Sequence, residues 1–300
     1  MSEPKKSLTD PPTNLKEAID WVLRVSGGDG MRNDTDLLAT ALTASIKKKP
    51  YEENDVVTKL LTEIKKDVNK NPTGPIKQLG DALKTFIGYK YETSHLPKWK
   101  ITGDGIVTNG AYKSRGEYTT YTSAYYGSSW FTDVNSGSQE NQNIKKKKAV
   151  QNFFTAIRLI YEGLTELYWK CKSEMTKNSR GNEPKAFLTS NGFSGNQLKS
   201  SLDANTIFTA LQNFTEFKTA YNPPPTSLDA FRSQLEQNAS TSPSKSPLAA
   251  LYILATYAYV QSSSPATPSF AGYSGTAALA GGAYGLNFGG IATMMSALLA

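Results

Sequence analysis

The sequence predicts a mainly α fold: an irregular multi-helix bundle interrupted by a long Tyr/Ser/Gly-rich insertion loop. Three observations lead there. Apolar residues recur at i, i+3, i+4 and i+7 in run after run, which is the spacing of one helix face. Pro, Gly and small polar residues punctuate those runs where helices start and stop. Across 89–143 the helical period disappears, and Gly, Ser, Thr and Tyr dominate. The pattern divides the chain into an N-terminal helical subdomain (1–88), an aromatic, polar insertion (89–145) and a C-terminal helical subdomain (146–300) packed on the first.

The stretch 8–30, LTDPPTNLKEAIDWVLRVSGGDG, specifies the first helix. Asn14 can cap it, and Glu17 follows at the capping-box spacing. Pro11 and Pro12 hold the preceding chain out of the helix. Leu15, Ala18, Ile19, Val22 and Val25 form a stripe, and Gly27 and Gly28 supply the stop. A helix of about three turns is marginal alone in water, so this one must dock its stripe.

A second helix is predicted over about 35–48, with Leu38, Ala41, Leu42, Ser45 and Ile46 inward. Lys47, Lys48 and Lys49 suit the negative end of its dipole, and Pro50 ends it. A third covers about 53–69, with Val57, Leu60, Leu61, Ile64 and Val68 inward. A fourth starts near Pro75, a residue favoured in a first turn. Leu79, Leu83, Phe86 and Ile87 line it, and Gly88 closes it. Short polar links between these helices imply antiparallel neighbours.

Tyr112, Tyr118, Tyr121, Tyr125, Tyr126, Trp130 and Phe131 are spread through the insertion. Tyr–Ser–Gly mixtures suit adaptable recognition surfaces, which makes these aromatics a candidate recognition loop. The competing reading is a flexible insertion with a weak hairpin around 116–130.

The next helix is expected over about 146–174. Phe153, Phe154, Ile157, Ile160, Tyr161, Leu164, Leu167 and Tyr168 give it a wide apolar face, as a central helix would have. Lys145, Lys146, Lys147 and Lys148 oppose the dipole at its start and are expected in a solvated first turn or just outside it. They serve either solubility or contact with a polyanion such as anionic lipid, heparan sulfate or nucleic acid. The whole-chain charge of +7 is moderate, and no nucleic-acid partner is expected.

Shorter helices are predicted at about 185–191, 194–202 and 204–220, then a stiff break at 223–225. Another covers about 227–238, capped by Ser227, with Leu228, Phe231 and Leu235 inward. A hinge is expected at 240–247. After Lys245 no charged residue follows, so 246–300 is an uncharged segment. Within it, 248–260 is an apolar helix candidate too short to span a bilayer easily. Gly281, Gly285 and Gly289, extended by Ala277, Thr293 and Ala297, form a small-residue ridge suited to close helix packing. A protein-packed helix and a bilayer span both remain open there, and membrane association with them.

Four runs carry a family resemblance: LTDPPTNLKEAIDWVLRV (8–25), GPIKQLGDALKTFIGY (74–89), GLTELYWKCK (163–172) and SPLAALYILATYAYV (246–260). GGAYGLNFGGIATMMSALLA (281–300) adds a less sharp one. Together they resemble the variant erythrocyte surface antigen-1 family of piroplasm parasites. The resemblance implies antigenic variation and adhesion of infected red cells, with a host endothelial or red-cell surface receptor and a related family subunit as partners. It also implies export to the infected host red cell, at the surface or membrane-associated, and no catalysis. Family members are typically longer, cysteine-rich and anchored near the C-terminus. With one cysteine and no obvious anchor, this chain is expected to be a short or truncated member. The alternative function is a soluble exported accessory protein that partners the longer members.

The residues offer little chemistry. Cys171 alone excludes an internal disulfide framework and a cysteine-rich zinc site. It reads as a half-buried helix residue or as an intermolecular thiol. The single histidine, His95, lies in a polar loop with no catalytic arrangement evident around it. Glu52 and Glu53 read as residues of a helix start. The stretch AGGAYGLNFGG lacks the strand and the later acidic residue of a dinucleotide site, no P-loop is present, and Asp29 and Asp34 do not fit an EF-hand. No cofactor or metal is expected. Asn33, Asn213 and Asn238 head formal glycosylation triplets. The first residues are polar, without the apolar core of a secretory signal.

Overall fold

Asn14 opens helix α1 (Leu15–Val25) in extended geometry, its side chain accepting the Glu17 amide. Glu17 does not close the expected capping box; its carboxylate instead takes the backbone N–H and hydroxyl of Thr13 and the Lys6 ammonium. Gly27 stops the helix at φ 71°, a left-handed conformation that suits glycine. In this computed structural model the described residues are 6–27, 33–46, 55–92, 98–101, 104–108, 123–125, 129–177, 182–218 and 224–262.

Three helices follow: α2 (Thr35–Ser45), α3 (Asp55–Val68) and α4 (Pro75–Ile87). Their apolar stripes face inward as the spacing predicts, except that Ser45 is exposed and Ala39 takes the buried position instead. Gly88 ends α4 in the left-handed region at φ 102°.

The insertion contains structure that the sequence reading lacked. Strands β1 (Tyr89–Glu92) and β2 (Lys98–Ile101) pair antiparallel, with Tyr91 opposite Trp99. The hairpin therefore sits at 89–101. The hairpin expected around 116–130 lies mostly outside the described residues, and its last member, Trp130, is helical. Residues 104–108 are stitched on both sides. Ile106 N–H donates to the Phe86 carbonyl at 2.9 Å, and Val107 forms an isolated antiparallel bridge with Leu198.

Helix α5 (Trp130–Asp133) is a single turn with a Ser129–Thr132 capping box. Helix α6 (Gln139–Lys177) starts seven residues earlier than 146, so the lysine run lies within the helix and not at its first turn. Asn and Gln are tolerated helix residues, and without a flanking apolar stripe the sequence gives no sign of those first turns.

Helix α7 is Glu183–Ser190. The helix expected over 194–202 is absent; turns and the bridge to Val107 replace it, and the Gln197 side chain accepts the Ser194 amide in the first of these. The helix expected over 204–220 is split into α8 (Ala204–Leu211) and α9 (Thr215–Lys218), the Asn213 side chain bonding the Ala210 carbonyl at the break. Helix α10 (Leu228–Thr241) is capped by Ser227 as expected and extends two residues into the expected hinge, whose middle is a 3₁₀ turn (Pro243–Lys245). Helix α11 (Pro247–Ser262) completes the described fold.

Helices α1, α6, α11 and α4 pack in a closed ring: α1 on α6, α6 on α11, α11 on α4, and α4 on α1. Two glycines set the spacing. A Cβ on Gly163 of α6 would lie 2.9 Å from the methyls of Leu15, and one on Gly80 of α4 would lie 2.5 Å from the Ser26 Cβ at the end of α1. Leu15 at the start of α1 and Ser26 at its C-cap thereby pack directly against glycine backbone. Trp21 of α1 is fully buried, its ring centroid 6.0 Å from that of Phe153 on α6 and its Nε1 donating to the Leu8 carbonyl. Tyr168 anchors an aromatic cluster against Phe208, Phe217 and Phe231 of α8, α9 and α10.

Candidate functional site

Two helices of the ring begin without a cap of their own. Helix α4 follows Gly74, and α11 follows Ser246; each has proline as its first residue. Their free amides are met from elsewhere. Asp67, near the end of α3, accepts the Ile76 and Lys77 amides at 2.9 Å. Glu216, in α9, accepts the Leu248 amide at 2.8 Å and bonds that of Ala249. Both carboxylates are 1% exposed. Burial raises Asp67 to about 6 and Glu216 to about 7, and in each case the amide hydrogen bonds pull the other way.

A groove of about 430 Å³ lies beside Glu216. Leu79, Ala82 and Thr85 of α4 form one side, and Phe214, Glu216 and Leu248 the other. A carboxylate near neutrality beside a cleft is the usual signature of acid–base chemistry. Here the geometry commits it to holding α11, because its oxygen is aimed at helix amides.

A second titratable cluster joins α6, α10 and α11. The Tyr161 hydroxyl lies 3.1 Å from Glu236 Oε1 and 3.2 Å from the Arg232 carbonyl. Arg232 Nε donates to Thr165 Oγ1, and Nη2 to the Glu162 carbonyl. Tyr252 stacks on Tyr161 at 4.0 Å. Burial raises Glu162 and Glu236, with Arg232 opposing in both cases. Arg158 also faces Glu162, and the hydrogen bonds of Tyr161 and Arg232 tie α6 to α10. The arrangement fastens α10 to the ring helix α6, and Tyr252 of α11 packs on it.

The sequence-derived candidates scatter. Tyr125 and Trp130 are core residues at 0% and 1% exposed, which corrects their assignment to a recognition surface. The Tyr125 hydroxyl donates to the Asp10 carbonyl, and Trp130 N–H to Asp34 Oδ2. Ala124 N–H donates to Asp20 Oδ2 at 2.9 Å. This part of the insertion is therefore an anchor for α1 and α2. Tyr112, Tyr118, Tyr121 and Tyr126 lie outside the described residues, as do Gly281, Gly285, Gly289, His95, Glu52 and Glu53.

Lys147 and Lys148 are exposed, whereas Lys145 and Lys146 are half-buried. Lys145 Nζ lies 3.0 Å from both the carbonyl and the hydroxyl of Ser136. Cys171 is fully buried, and burial, with Glu174 and Asp203 nearby, pushes its thiol up to about 12. A thiol in that state does not form intermolecular disulfides readily. Sequence reasoning missed Asp67, Glu216 and the Arg232 network. For α4 the available signal was a proline-initiated helix preceded by Gly74, which has no side chain to cap it; Ser246 before Pro247 gives no such signal.

Among the described residues no group of three or more His, Cys, Asp or Glu side chains is placed to hold a metal ion. Also among them, no helix is long and apolar enough to cross a membrane. Against known protein families, characterised proteins and solved structures the chain finds no match.

Proposed function

We propose that this chain is a non-enzymatic surface antigen of the variant erythrocyte surface antigen-1 type, exported to the infected red cell and acting there in antigenic variation and adhesion. One observation carries the reading. The family-like runs 8–25, 74–89, 163–172 and 246–260 fall on α1, α4, α6 and α11, the helices that close the ring. Segments that resemble one family in sequence, and that also pack on one another, make a shared framework. Contacts between the runs are direct: Leu15 of the first lies over Gly163 of the third.

In this reading the framework presents the insertion, and recognition of a host receptor or a related family subunit belongs to Tyr112, Tyr118, Tyr121 and Tyr126. Their Tyr/Ser/Gly-rich context supplies amphipathic contact area at low entropic cost. Antibodies raised against the folded chain test the proposal on infected red cells. Labelling of intact cells is expected. Label in the host cell only after permeabilisation replaces display with a soluble accessory role, and label confined to the parasite overturns both.

A further inference from the structure

Large hydrophobic side chains in solvent are few among the described residues: Phe131 at 62% exposed, Ile144 at 50% and Met175 at 41%. Two of these three lie where α5 hands over to α6, and the lysine run lies there too. Ile144 has Lys147 and Lys148 three and four residues on, so the three share one face of α6. All three are exposed. Lys145 reaches back to Ser136 and folds the 134–138 link against the helix, which keeps the α5 turn at the same end of the molecule. Among the described residues no carboxylate forms an ion pair with Lys146, Lys147 or Lys148. Glu140, one turn before Ile144, is the acidic residue on this face.

We propose that this corner, formed by Phe131, Ile144, Lys147 and Lys148, binds an anionic lipid surface. Charge complementarity selects the class of partner, and the apolar pair selects within it. Lysines alone suit any polyanion. A sulfated glycan has no apolar phase to receive Phe131 and Ile144, whereas a bilayer bearing anionic headgroups takes both kinds of side chain at once. Ile144, Lys147 and Lys148 lie on α6 ahead of its family-like part, 163–172, and the proposal rests on no part of the family reading.

The test is co-sedimentation of the whole chain with phosphatidylcholine vesicles, with and without phosphatidylserine. Binding only to the phosphatidylserine vesicles, released by high salt, is the expected result. Lys147→Glu with Lys148→Glu lowers it by at least about twentyfold, at about fivefold per lysine. Phe131→Ser with Ile144→Ser lowers it severalfold at unchanged vesicle charge. Neither pair alters the circular dichroism spectrum, since all four side chains are in solvent. Equal binding to neutral vesicles, no binding, or binding that survives both pairs overturns the proposal. So does retention on heparin without vesicle binding.

Discussion

The helix ring and the α5–α6 corner treat charge and apolar surface in opposite ways. In the ring, titratable groups are sealed inside. Lys16 and Asp20 pair at 2.7 Å on the buried helix α1, and Asp67 and Glu216 hold the amides of α4 and α11 directly. At the corner, Lys147 and Lys148 stand in solvent on the same helix face as Ile144, and Phe131 of α5 is in solvent too, both apolar side chains being more than a third exposed. A buried charge with a partner fixes which elements meet, because removing either side strands the other. An exposed charge beside an exposed ring fixes nothing within the molecule and is available to something outside it. The ring thus reads as framework and the corner as contact surface.

The largest expected break in that contrast is Trp21→Ala. It removes the ring packed on Phe153 and leaves the Leu8 carbonyl with the Asn152 amide as its remaining partner. Urea titration is expected to show a loss of about 3–5 kcal/mol, as for other buried aromatics. A loss under about 1 kcal/mol would mean that α1 is not a central element.

Next comes the pH dependence of stability. The folded Glu216 carboxyl titrates about 7, above its ordinary 4.5, so the native state holds a proton that the unfolded chain releases. Its contribution is complete below 4.5 and is lost as pH rises through 7, by up to about 3 kcal/mol. Asp67 adds the same sign between 3.8 and about 6. Thermal melts of Glu216→Gln are expected to show a flatter profile between pH 4.5 and 7.5 than the unaltered chain. An identical profile would place Glu216 in water.

Gly163→Ala is smaller. The new methyl meets Leu15, and the shift between α1 and α6 costs about 1–3 kcal/mol in urea titration. The smallest effect sharpens the contrast from the other side: Lys147→Glu with Lys148→Glu changes stability by less than about 0.5 kcal/mol. A larger loss would make the corner part of the framework.

What was legible in the sequence follows the same divide between local and remote partners. Asn14, Ser227 and Gly88 act within their own helix ends, and each does what its position predicts. The stripe of α1 is buried as the spacing requires, but Lys16, Asp20 and Arg24 on its other faces are buried too. An amphipathic pattern gives no warning of that, because the partners come from 123–125 and other distant segments. Tyr125 and Trp130 read as surface aromatics for the same reason: composition marks a loop, while docking onto Asp10 and Asp34 is a tertiary fact. The β1–β2 hairpin does have a local signal, the alternation of YKYE and KWKI, but each run is only four residues long and is set among loop-forming residues.

The central claim is that the four family-like runs form one cooperative framework, and native-state hydrogen exchange tests it most directly. The account predicts that amides of α1, α4, the 163–172 part of α6, and α11 exchange through one common opening at the highest free energy in the molecule, while α5 and the first turns of α6 open separately and more easily. Exchange of α4 or α11 well ahead of α1 and α6 would contradict it, and with it the framework on which the proposed function rests.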